Sequence, residues 1–92
     1  MDTEKMVWVF NSAGGKFPGA VFSRKELAEH WIKLNKLTGT LTAYPLDICV
    51  YDWAVNNGYF SPKTDEHRSS KFIGNFTSAS QEHYHYEDGS SD

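Results

Sequence analysis

Gly39 to Gly58, GTLTAYPLDICVYDWAVNNG, reads as a strand, a proline corner and a helix, and the rest of the chain is arranged around it. Leu41 and Ala43 alternate with Thr40, Thr42 and Tyr44, the period-two pattern of a strand with one wet face. Pro45 ends that strand, because it lacks an amide proton for the ladder and holds Tyr44 extended. Asp47 is placed to cap a helix from Ile48 to about Asn57, accepting from the otherwise unpaired amides of Cys49 or Val50. Gly58 is the expected left-handed residue just past the end. Between these signals only Asp52 is charged, and Ile48, Cys49, Val50, Tyr51, Trp53, Ala54 and Val55 surround the helix, which predicts cover on more than one side. A strand over Ile48 to Tyr51 is the second reading, since β-branched residues gather there.

Upstream, Met6 to Phe10 (MVWVF) is an unbroken apolar run that predicts a central strand buried on both faces. Asn11 to Gly19 is turn-rich, and Ala20 to Phe22 resumes the strand pattern, giving a hairpin with a loose loop. Gly14-Gly15-Lys16 does not make a phosphate loop: the spacing fails and a strand follows where a helix start is required. Ser23-Arg24-Lys25-Glu26 has the form of a capping box, with Phe22 and Leu27 as a hydrophobic staple. The helix it opens carries Leu27, Ala28, Trp31, Ile32 and Leu34 as its apolar stripe, with Arg24, Lys25, Glu29 and Lys33 on the solvated side and His30 at the surface.

Downstream, Ser61 to Arg68 is a polar excursion expected to be the most mobile internal loop. Ser69 or Ser70 can cap a short turn holding Phe72 and Ile73, and a strand is the competing reading for that segment. From Gln81 to Glu87 alternation returns, with Tyr84 and Tyr86 on one face and His83, His85 and Glu87 on the other. The end of the chain, EDGSSD, is read as a frayed tail.

A chain of 92 residues, 39% hydrophobic and 15% aromatic, supports one domain, taken as residues 1–87 with 88–92 as tail. The formal net charge of −3 and the lack of a Lys/Arg run disfavour nucleic-acid binding. No stretch has the length of a signal-peptide core or a membrane span, so a cytoplasmic protein is expected and Asn75-Phe76-Thr77 is not read as a glycosylation site. The lone Cys49 forms no internal disulfide and is read as a small core hydrophobe. The predicted fold class is α+β: a small two-layer sandwich, order β-β-α-β-α-β, with a mixed sheet of three to four strands and both helices on one face. The mixture comes from a parallel crossover out of the second strand, through the first helix, into the third.

Chemistry concentrates in Gln81-Glu82-His83-Tyr84-His85-Tyr86, which is the candidate binding stretch. Histidines at i and i+2 aim both rings to one side, an arrangement that supplies two metal ligands from one rigid strand. His83 and His85 are therefore the metal candidates, with His67, Asp65 or Glu66 as further ligands if the loop folds over. Two ligands alone do not make a site, and if the tyrosines pack inward the histidines line a solvated face. Glu82 with His83 or His85 is the acid-base candidate, yet no nucleophile elbow, exposed Cys-His pair or paired carboxylates complete it. No cofactor is implied.

Three motifs in order, Trp8 to Ser23 (WVFNSAGGKFPGAVFS), Gly39 to Asp47 with Val50 to Ala54 (GTLTAYPLD, VYDWA) and Phe76 to Gly89 (FTSASQEHYHYEDG), resemble those of a family of small bacterial proteins and domains. That family, of roughly 90 residues, is a domain of unknown function, and the resemblance implies a free-standing cytosolic bacterial domain with no activity to carry over. The functional expectation is a non-enzymatic protein-binding or adaptor module, its partner another protein or a second copy as a homodimer, without nucleic acid or membrane. Its motive is an aromatic load larger than so small a core hides. The alternatives are an inhibitor or immunity-type protein blocking a larger enzyme, and a metal-dependent enzyme or metal-binding protein using the EHYHYE strand.

Overall fold

The structure is a computed structural model, in which residues 5–91 are described. Strands β1 (Met6–Ser12), β2 (Ala20–Phe22), β3 (Gly39–Pro45), β4 (His83–Glu87) and β5 (Ser90–Ser91) form one sheet in the order β2-β1-β3-β4-β5, and every pairing is antiparallel. Three helices complete the fold: α1 (Lys25–Leu34), α2 (Val50–Asn56) and α3 (Ser70–Gly74). The α+β class stands, while the mixed sheet of three to four strands is corrected to an antiparallel one of five. β2 and β3 do run parallel to one another, but β1 lies between them. The crossover through α1 therefore spans an occupied position, and β3 takes the remaining edge of β1.

That edge holds seven residue pairs, from Met6 opposite Pro45 to Ser12 opposite Gly39. Only glycine fits at position 39, where an added Cβ would collide with the Asn11 carbonyl oxygen and fall 2.7 Å from the Phe10 ring. Trp8, Phe10, Leu41, Ala43, Tyr84, Tyr86 and Phe22 share one face through the pairings Trp8–Ala43, Phe10–Leu41, Leu41–Tyr84, Gly39–Tyr86 and Trp8–Phe22. Against it α1 lays Ala28 and Ile32, both fully buried, with Trp31 edge-on to Phe10 at 5.4 Å. The molecule is 21 Å across its thinnest direction, room for one helix layer on a sheet.

α1 differs from its expected form at both ends. Arg24, not Ser23, is the N-cap, and it makes no side-chain cap bond, so the capping box is not formed. Leu27 and Leu34 are exposed at 43% and 71%, which narrows the packed stripe to buried Ala28 and Ile32 with half-buried Trp31. Glu29 and Lys25, expected in solvent, are half-buried beside β4.

α2 starts two residues later than expected. Asp47 takes a left-handed φ of 67° and Cys49 is the N-cap, its Sγ accepting from the Asp52 amide at 3.4 Å. Cys49 is exposed, so its reading as a core residue is corrected. Gly58 does turn left-handed, at φ 78°. Tyr51, Trp53 and Ala54 are buried, and Tyr51 meets Phe60, Phe72 and Phe76 with ring centroids 5.9, 6.2 and 5.5 Å away. These rings form a second aromatic cluster under the connection from α2 to α3. The segment expected to be most mobile is tied into it, with His67 on a single 3-10 turn (Glu66–Arg68) and its ring 5.2 Å from Phe60 and 4.9 Å from Phe72. Ser69 caps α3 through Oγ, accepting from the Phe72 amide, which settles that segment as helical.

The expected frayed tail is corrected as well. Asp88 and Gly89 take φ values of 51° and 90°, the signature of a two-residue hairpin turn, and β5 folds back onto β4. The turn is anchored where the Asp88 amide donates to Thr38 Oγ1 at 3.0 Å and the Gly89 amide to the Leu37 carbonyl at 2.9 Å.

Candidate functional site

The stretch Gln81 to Glu87 divides between two environments, because β4 alternates sides. Gln81, 3% exposed, is spent on structure: Nε2 donates to the Ala43 carbonyl at 3.1 Å and Oε1 accepts from the Ser78 amide at 3.0 Å. Tyr86 is buried and its hydroxyl donates to Glu29 Oε2 at 2.9 Å. Burial first, then the hydrogen bond and charge of Glu29, push the Tyr86 phenol well above the ordinary tyrosine range. Tyr84 is half-buried, donates to Glu82 and lies beneath the Lys25 ammonium, 3.8 Å from its ring centre. Burial opposes the Lys25 charge, but the hydrogen bond to Tyr84 and the carboxylates of Glu29 and Glu82 outweigh it and raise the Lys25 pKa. Lys25 also sits 3.9 Å from Glu29, so β4 and α1 are joined by a string of polar and aromatic contacts.

His83 and His85 point the other way and are exposed. Their ring centroids are 5.5 Å apart with planes at 89°. His83 Nδ1 is 2.7 Å from the carbonyl oxygen of Gln81, which can only accept, so the neutral ring is protonated there and keeps its lone pair on Nε2. His85 Nδ1 is 3.3 Å from Thr40 Oγ1. Glu82, the acid-base candidate, bonds Tyr84 rather than either imidazole. His67, wedged between Phe60 and Phe72, accepts from the Lys63 amide on Nδ1 at 3.0 Å. Among the described residues no three of His, Cys, Asp and Glu gather to hold a metal, so His67, Asp65 and Glu66 do not join the pair.

The histidines stand on the sheet face opposite α1. Register places Val7, Val9, Val21, Thr40, Thr42 and Tyr44 on that face with them. None of these residues is buried, and Val21 is 61% exposed. Sequence reading missed the valines because an unbroken apolar run suggested burial on both sides. The signal was present in β3, whose wet side of Thr40, Thr42 and Tyr44 fixes the exposure of whatever pairs beside it.

A family model described as Domain of unknown function (DUF7710) matches residues 7–92. The chain belongs to that family. The match spans β1 to β5 and both sheet faces, so the paired histidines lie within the family's domain and not in an appendage. No curated protein and no solved structure gave a significant match. Among the described residues no helix is long and apolar enough to cross a membrane.

Proposed function

We propose that this domain is a non-enzymatic protein-binding module of the bacterial cytoplasm, docking through the open face of its sheet. The observation that carries the reading is that face itself: six residues from three strands, three of them valine and one tyrosine, with none buried. One-sided antiparallel sheets normally turn a polar surface to water, and contiguous apolar side chains there are the mark of an interaction site. The aromatic surplus no longer argues for an interface. Two ring clusters absorb most of it, and among the described residues only Phe17 and Tyr59 are exposed large aromatics. The bacterial assignment is supported by the motif resemblance alone. A single exposed thiol at Cys49 suits the reducing cytoplasm.

The test uses Val9→Glu/Val21→Glu, which charges the open face without touching the packed one. Wild type and variant are immobilised at equal density and offered bacterial lysate, with quantitative mass spectrometry of what is retained. A specific set of proteins held by wild type and lost by a variant with an unchanged thermal melt is the expected result. Equal retention by both chains would remove the open face as the docking surface.

A further inference from the structure

We infer that His83 and His85 chelate one divalent borderline ion of the zinc, nickel or copper class, and that the same two residues of a second copy complete its coordination. This rests on the open face being a docking surface, and names the partner as another copy of the chain. The geometry of the pair is the first support. An ion about 2.0–2.1 Å from each Nε2 at a tetrahedral angle sets two imidazole centroids about 5 Å apart. The rings stand 5.5 Å apart, close to that spacing.

Ring orientation is the second support. A ligating imidazole commonly donates its other N–H to an oxygen, which fixes the tautomer and steadies the ring. His83 Nδ1 makes that contact with the Gln81 carbonyl, and His85 Nδ1 lies beside the Thr40 hydroxyl, which can serve in the same way. The structure gives Nε2 of neither ring a hydrogen-bond partner among the described residues. Neutral imidazole favours zinc, nickel and copper over magnesium or calcium, which sets the class of ion.

The second copy follows from ligand number. Two imidazoles fill half of a tetrahedral set, and among the described residues no third ligand stands close enough to extend it. A two-fold axis through the ion duplicates the pair and makes four, the self-complementary arrangement of a symmetric dimer. Approach is open: the cross-strand neighbours of His85 and His83 are the short side chains Thr40 and Thr42. Such a dimer also brings the valines of the two open faces towards each other.

The experiment uses the full chain without an affinity tag, stripped with EDTA and titrated with zinc. Light scattering after gel filtration reads the mass, and calorimetry reads the stoichiometry. The expected result is a doubling of mass that saturates at one zinc per two chains and reverses with EDTA. His83→Ala/His85→Ala stays monomeric, and His30→Ala, which removes an exposed histidine on α1, dimerises like wild type. If the double variant melts early, His85→Gln alone supplies the same comparison. Zinc bound one per chain without doubling, no zinc uptake at all, or a dimer that persists in EDTA would each overturn the inference. The last of these, or lysate capture that fails in Val9→Glu/Val21→Glu while zinc has no effect, leaves the docking face intact.

Discussion

Tyr86 is where α1 and β4 are fastened, through a ring packed on the core and a hydroxyl held by Glu29. Tyr86→Phe keeps the ring and removes the charged hydrogen bond, so it should cost about 1–2 kcal/mol in a urea melt at neutral pH. The folded state also holds the phenol proton more tightly than the unfolded chain does. A raised folded pKa gives stability that is fully present below the ordinary tyrosine value of about 10 and is lost as pH rises beyond it. Wild-type melts should therefore weaken above that pH, and the phenylalanine variant should weaken less. A parallel decline in both proteins would show that Tyr86 is not the titrating group.

At the scale of elements, each helix ends on an asparagine whose side chain reaches back four residues. Asn35 Nδ2 donates to the Trp31 carbonyl at 3.0 Å, Asn57 to Trp53 at 2.8 Å and Asn75 to Lys71 at 2.8 Å. Each of these carbonyls already accepts from the backbone amide of the same asparagine, so the side chain adds a second bond that closes the helix end. Asn57→Ala, where the site is half-buried, is expected to cost about 1 kcal/mol by chemical denaturation. At the starts, Ser69→Ala should cost a similar amount, about 1 kcal/mol, since its hydroxyl is a working cap. Ser23→Ala should stay within about 0.5 kcal/mol, the range of a surface change, because Ser23 caps nothing. A full cap penalty at Ser23 in the same urea series would mean that α1 begins one residue earlier. Between strands, Gly39→Ala forces a methyl group into the β1 backbone and should destabilise by about 3 kcal/mol.

The whole molecule is held by two apolar clusters, one between sheet and α1 and one around Tyr51. With net stability of about 5–15 kcal/mol in a domain of this kind, each cluster is a large share of it. Tyr51→Ala opens the second cluster at its centre and is expected to cost about 3–4 kcal/mol by equilibrium urea unfolding. A loss under about 1 kcal/mol would show that α2 and α3 add little to the cooperative unit. The first cluster fills one side of the sheet, and no residue of the other side is buried in it. Val7, Val9, Val21, Tyr44, His83 and His85 therefore remain available to another surface, and the layer arrangement makes them so rather than any local motif.

Alternation in Thr40 to Tyr44 and in His83 to Glu87 determined, from sequence alone, which side chains share a face, because a pleated strand has a period of two whatever it packs against. An unbroken apolar run located β1, a turn-rich interval the hairpin, and the helix-end rule the left-handed Gly58. An Asp-Gly pair after a strand was also a legible hairpin signal that its acidic setting concealed. Which face is buried was not local information. An apolar run such as MVWVF reads alike whether one layer or two will cover it, and the placement of α1 on the other face left Val7 and Val9 only half-buried. Helix starts failed for a related reason: Ser23 and Asp47 are both competent caps, but a cap forms only where packing starts the helix. Arg24 and Cys49 take the N-cap positions instead, with Asp47 turned left-handed. The histidine pair was visible as a spacing, whereas its exposure, its Nδ1 contacts and the lack of a third ligand beside it among the described residues came from tertiary structure, which alone decides what lies beyond the strand.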